Sequence, residues 1–158
     1  RAWQCYPFIS RAEAAHVHRE ALAAGGNGFS EPVLALLRDG ATITASRYFD
    51  ALRERDQVRR DLEAITRDAD ALVLPTAPVL PPLRGQAEVD TAGGKMTTRQ
   101  AVLGQTLPFN LSGQPALTIP MGFSSGLPTG LMLVTARDAD ARALALGAWC
   151  EPLMNETN

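Results

Sequence analysis

Helical periodicity fills most of this chain and leaves room for only three short strand candidates, so any sheet it forms is small and has edges to protect. After Thr44, an N-cap candidate, the apolar residues Tyr48, Ala51, Leu52, Val58, Leu62 and Ile65 fall on one face of a long amphipathic helix. Arg53, Glu54, Arg59, Arg60 and Glu63 take its exposed face. Residues 11–24 read as an earlier helix, closed by Gly25, Gly26 and Gly28. Ser30 and Pro32 start another over 31–38, stopped at Gly40. The apolar run 71–74, ended by Pro75, fits a buried strand. Residues 75–95, with four prolines by position 82, read as a long loop, followed by a helix that Thr97 or Thr98 caps and that runs to about Thr106. Residues 116–120 and 129–136 read as neighbouring strands joined by a turn-rich loop, and Asp138 caps a last helix ending near Cys150. The fold class is α/β or α+β with an incomplete sheet.

Composition removes several functions. With 46% hydrophobic and 20% charged residues over 158 positions, and a formal net charge of -2, the chain is globular and carries no basic footprint for nucleic acid. Its longest apolar stretches fall far below the roughly 18 residues of a membrane span, so no membrane role is expected. Two cysteines near opposite ends, Cys5 and Cys150, form neither a disulfide framework nor a metal pattern, and read as free thiols in a reducing, cytoplasmic compartment. Arg1 in place of Met, and residues 1–10 without signal-peptide order, point to a chain cut from something longer.

The isolated chemical motifs have ordinary explanations. Gly122-Phe-Ser124-Ser125-Gly126 matches G-x-S-x-G, but a nucleophile elbow needs a helix after the serine and here a strand follows. His16 and His18 are two apart, so on a helix they point to different faces and cannot chelate one metal. Lys95 follows Gly93 and Gly94 without a phosphate-loop pattern. Asp68, Asp70, Asp138 and Asp140 sit at expected helix ends, where capping and solvation account for them.

Three segments in order carry more information. They are Asp70-Ala-Leu-Val-Leu-Pro75-Thr76-Ala-Pro78, then Pro108-Phe-Asn110-Leu-Ser-Gly113-Gln-Pro115-Ala116-Leu-Thr-Ile-Pro120-Met-Gly122, then Gly126-Leu-Pro-Thr-Gly130. In order and spacing they resemble the C-terminal third of the amidase-signature family, and the resemblance covers nearly everything beyond about Ser30. It implies the C-terminal part of a single domain, a mixed sheet flanked by helices, over residues 1–158. It also implies hydrolysis of carboxamide C–N bonds, or transfer of the released ammonia, by a serine activated through a second serine in a cis peptide and a lysine. Those residues belong to the family's N-terminal two thirds and have no counterpart here. No catalytic residue is therefore expected in this chain, which by itself should be inactive.

What remains is a wall of the substrate cleft. The resemblance implies substrate contacts from Thr76 in the loop after Pro75, from Gln100, Leu103 and Leu107 on the helix that follows, and from Asn110, for which a structural role is equally expected. Gln100, Leu103 and Leu107 are spaced to share one helix face. Glutamine-using relatives carry an acidic residue at the position of Leu103; leucine there favours a hydrophobic acyl group and argues against a tRNA-dependent amidotransferase component. The expected partners are a small-molecule amide, the N-terminal part of the same enzyme and, as a homodimer, a second copy, with no cofactor and no metal. The rival readings are a noncatalytic binding or structural module of the same fold and a protein like the amidase-type component of glutamyl-tRNA(Gln) amidotransferase.

Overall fold

The structure, a computed structural model, describes residues 1–155, with Asn155 described by its backbone alone. Two compact units divide the chain, Arg1–Val58 and a second beginning at Arg59.

The first unit is helical. It contains α1 (Ala2–Val17), α2 (Arg19–Ala23), α3 (Glu31–Ala41) and the first part of α4 (Ala45–Thr66). Helix α1 starts nine residues earlier than the periodicity indicated, because Cys5 and Ile9, one turn apart, bury an apolar stripe that outweighs the backbone bond lost at Pro7. Gly40 does not stop α3, which continues to Ala41; a Cβ at Gly40 would lie 2.0 Å from the Arg11 carbonyl oxygen, so its glycine serves close approach between α1 and α3. Thr44 caps α4 as expected, its hydroxyl accepting from the Arg47 amide at 3.3 Å.

The second unit holds the sheet. It contains β1 (Leu72–Pro75), β2 (Glu88–Thr91), β3 (Gly94–Thr97), α5 (Thr98–Leu103), α6 (Leu107–Ser112), β4 (Ala116–Ser124), β5 (Leu127–Val134) and α7 (Asp140–Asn155). β5 lies between β1 and β4 in an antiparallel three-stranded sheet, and β2 pairs with β3 as a separate hairpin. Within the described residues the outer edges of β1 and β4 have no strand neighbour. One face of the sheet buries Met132 and Val134 against Phe109, with Leu62, Leu72 and Leu74 around them. The opposite face packs on α7, where a Cβ at Gly147 would come within 2.3 Å of Leu117 Cδ2.

Several expectations need correction. β1 is a half-exposed edge strand rather than a buried one: Leu72 and Leu74 face the core while Val73 is 55% exposed. The stretch 75–95 contains β2 and the start of β3, a hairpin hard to read because only Val89 is buried. The helix expected to about Thr106 ends at Leu103, and a second, α6, follows from Leu107; Pro108 has no amide hydrogen for an unbroken helix to use, and it falls in the first turn of α6. The loop between β4 and β5 shrinks to Ser125 and Gly126, both at positive φ (52° and 74°), as a two-residue hairpin turn requires. Asp138 also has positive φ, 62°, and lies in the turn before α7; Asp140 is the acidic residue of that helix's first turn.

Candidate functional site

The corner between α6 and β4 sets the geometry. Gly113 ends α6 in the left-handed conformation, φ 76°. Ser112 and Gln114, on either side, are buried and hydrogen-bonded: the Ser112 hydroxyl donates to Gln114 Oε1 at 3.1 Å. Gln114 Nε2 in turn donates to Thr66 Oγ1 at 2.9 Å and to the Thr135 carbonyl at 3.3 Å. Arg59 Nε donates to the Ser112 carbonyl at 3.1 Å, satisfying one acceptor freed at the helix end. This network ties the end of α4, the corner and the end of β5 together, so β4 enters the sheet in one register.

The register puts three residues in a rung beyond the core. The Thr76 amide donates to the Gly130 carbonyl at 2.8 Å, and the hydroxyls of Thr76 and Thr118 lie 3.1 Å apart. A Cβ at Gly130 would sit 2.7 Å from Thr118 Cγ2 and 2.8 Å from Thr76 Oγ1, so only glycine lets the two threonines close over it. The rung borders a cavity of about 720 Å³. Its walls are the proline-rich segment after β1, Val102 of α5, and Met121, Ser124, Pro128 and Thr129 of the β4–β5 hairpin.

No side chain lining this cavity is ionisable. The hydroxyls of Thr76, Thr118, Ser124 and Thr129 therefore have no base among the lining residues, and a hydroxyl without a base is a weak nucleophile. The lining offers hydroxyls and apolar surface and carries no charge.

Of the five residues singled out from the sequence, Thr76 lines the cavity. Gln100 caps α5: its Oε1 accepts from Thr97 Oγ1 at 2.8 Å, and its amide donates back to that hydroxyl at 3.3 Å. Leu103 is half-buried at the end of α5, Leu107 is 3% exposed in the core, and Asn110 is exposed on α6. The break between α5 and α6 means that Gln100, Leu103 and Leu107 do not share one helix face. Val102, Thr118, Met121 and Thr129 were not singled out; the place of the last three depends on a strand register that sequence spacing does not reveal. Gln114 left one signal, a polar residue held between a turn glycine and a strand-starting proline.

The perturbed titratable groups belong to the helical unit. Burial, and secondarily the Glu54 carboxylate, push the Cys5 thiol pKa up. Tyr48 is raised by the hydrogen bond its hydroxyl donates to Glu13 Oε1 at 2.8 Å. His16 and His18 are exposed, and among the described residues no group of His, Cys, Asp and Glu gathers to hold a metal ion. No helix among them is long and apolar enough to cross a membrane.

A family model described as Amidase matches residues 6–144, most of the chain. The chain belongs to the amidase family. A glutamyl-tRNA(Gln) amidotransferase component from Chloroflexus aurantiacus is 32% identical over 142 residues, which cover 87% of this chain and 28% of that protein. A solved amidase superposes with a TM-score of 0.90 at 38% identity, covering 96% of this chain and 35% of that one. For 6-aminohexanoate cyclic dimer hydrolase the TM-score is 0.74 at 26% identity, covering 98% and 35%. The fold is thus that of one portion of an amidase-signature domain. This amidase chain spans 28% of the length of the curated relative.

Proposed function

We propose that this chain supplies core strands and one wall of the substrate cleft in a serine-dependent amidase that hydrolyses linear carboxamides. The nucleophile and the serine–lysine pair that activate it are carried by sequence joined to this chain. The observation that supports this reading is the roomy cavity whose lining offers hydroxyls but no base, acid or charge. Such a wall binds and orients a substrate, while the oxyanion hole and proton transfer are supplied from the facing side. Thr76 contacts the substrate directly, and Leu103 adds apolar surface at the end of α5. Gln100 acts by capping α5, Leu107 by anchoring α6, and Asn110 by offering its exposed amide. The enzyme works in the cytoplasm without a cofactor or metal, and its apolar acyl preference follows from the neutral lining. The exposed Trp149 and Leu144 of α7 favour a further interface, such as that of a homodimer.

A second reading, a glutamine-using amidotransferase component, draws support from the 32% identity to such a protein. Leucine at position 103, where an acid would pair with the glutamine ammonium, weighs against it. One assay separates the readings: anilides, small polar amides and glutamine are offered to the protein in which this chain is joined to the rest of an amidase domain, and to the 158 residues alone. Turnover of hydrophobic anilides by the joined protein only is the expected result. Hydrolysis by the 158 residues alone, or a preference for glutamine, would reject it.

A further inference from the structure

The irregular point of β4 lies on the cavity. Pro120 pairs with Gly130 and Gly122 with Thr129, so β4 has one residue, Met121, with no partner on β5. Side chains alternate along a strand. Thr118 borders the cavity, whereas Leu117 and Ile119 lie near α7, within 2.3 and 3.7 Å of a Cβ built on Gly147. An unbroken strand would send Met121 to that α7 side. At the bulge Met121 is 37% exposed and borders the cavity with Val102. The Thr129 hydroxyl donates to the Gly122 carbonyl at 3.0 Å and fixes the bulge in place.

We propose that Met121 is the specificity-determining residue of this cavity, which receives an uncharged aryl or branched-alkyl acyl group. The inference rests on reading the cavity as part of an amide site. Methionine is unbranched and polarizable, so it moulds to flat or branched apolar groups of different size. Gly130 fixes the opposite limit, since the closed Thr76–Thr118 rung leaves no path toward the core. With no ionisable lining residue, a charged acyl group would enter without a partner.

The test uses the protein in which this chain is joined to the rest of its domain, with anilides whose acyl group grows from acetyl through benzoyl to naphthoyl, plus the anionic succinyl anilide. Met121→Ala should shift the naphthoyl-to-acetyl ratio of kcat/KM by about 10-fold or more in favour of the larger group. Met121→Leu should stay close to native, and Met121→Lys should favour the succinyl anilide over the benzoyl. Equal losses on every anilide for Met121→Ala, with its thermal melt unchanged, would overturn the assignment while leaving the amidase reading intact. If the native protein hydrolyses no amide, that reading fails, and the methionine methyl resonances decide this inference separately. Benzamide should move the Met121 methyl signal and leave the fully buried Met132 signal in place, and acetate should move neither. An unmoved Met121 signal, or the same shift with acetate, would overturn the proposal.

Discussion

In the helical unit, helices meet through bare backbone: α3 comes so close to α1 that the Arg11 carbonyl fills the space a side chain at Gly40 would need. In the sheet unit, contact runs through side chains, and the corner holds because Gln114 reaches Thr66 and Thr135 at once. The two differ in charge as well. The helical unit places Glu13, Tyr48 and His16 together around one groove and stacks Arg47 over Phe8 at 3.8 Å. The cavity beside the Thr76–Thr118 rung of the sheet unit has no ionisable group in its lining. Ionisable side chains thus line the groove of one unit, and hydroxyls and apolar groups line the cavity of the other.

The backbone approach should be the less forgiving of the two. Gly40→Ala has no flexible side chain to push aside and must separate α1 from α3, which should destabilise the helical unit by about 3 kcal/mol. Hydrogen exchange should show faster opening in α1 and α3; unchanged protection there would mean the close approach is not needed. Gln114→Ala should come next. It leaves the Thr135 carbonyl and the Thr66 and Ser112 hydroxyls short of a buried partner, and should reduce stability by about 2 kcal/mol, read as a lower denaturation midpoint. An effect below about 0.5 kcal/mol would show that water replaces the amide without loss.

A smaller effect separates the units by pH. Because folding raises the Cys5 pKa above its ordinary value of 9.0, its contribution is whole below that pH and is lost as pH rises through the higher folded value. Tyr48 acts with the same sign at higher pH, through its bond to Glu13. Protection of α1 should therefore decline as pH rises above 9.0, and Cys5→Ala should flatten the lower part of that decline. An equal pH dependence in native and variant would remove Cys5 from the account.

Much of this architecture was legible in the residues, and the failures share a cause. Thr44 and Thr97 announced helix starts because capping is local, Ser30 takes the N-cap position of α3 without a side-chain cap bond, and Pro75 through Pro82 announced a segment that forms one wall of the cavity. The ordered motifs around Pro75, Asn110 and Gly130 pointed to the family that the match over residues 6–144 establishes. What could not be read depends on pairing across sequence distance: the β2–β3 hairpin with its single buried Val89, the bulge at Met121, and the rung from Thr76 over Gly130 to Thr118. Leu107 looked like cleft lining because its spacing matched Leu103, and only the helix break before Pro108 sends it to the core.

The central claim is that this chain contributes a wall and no nucleophile, and Ser124 and Ser125 test it most directly. They form the one serine pair between glycines, and Ser124 borders the cavity. In the protein where this chain is joined to the rest of the domain, the double variant Ser124→Ala, Ser125→Ala should keep anilide kcat within severalfold of native. A loss of about 1000-fold with the fold intact, the scale of removing a nucleophile, would contradict the account.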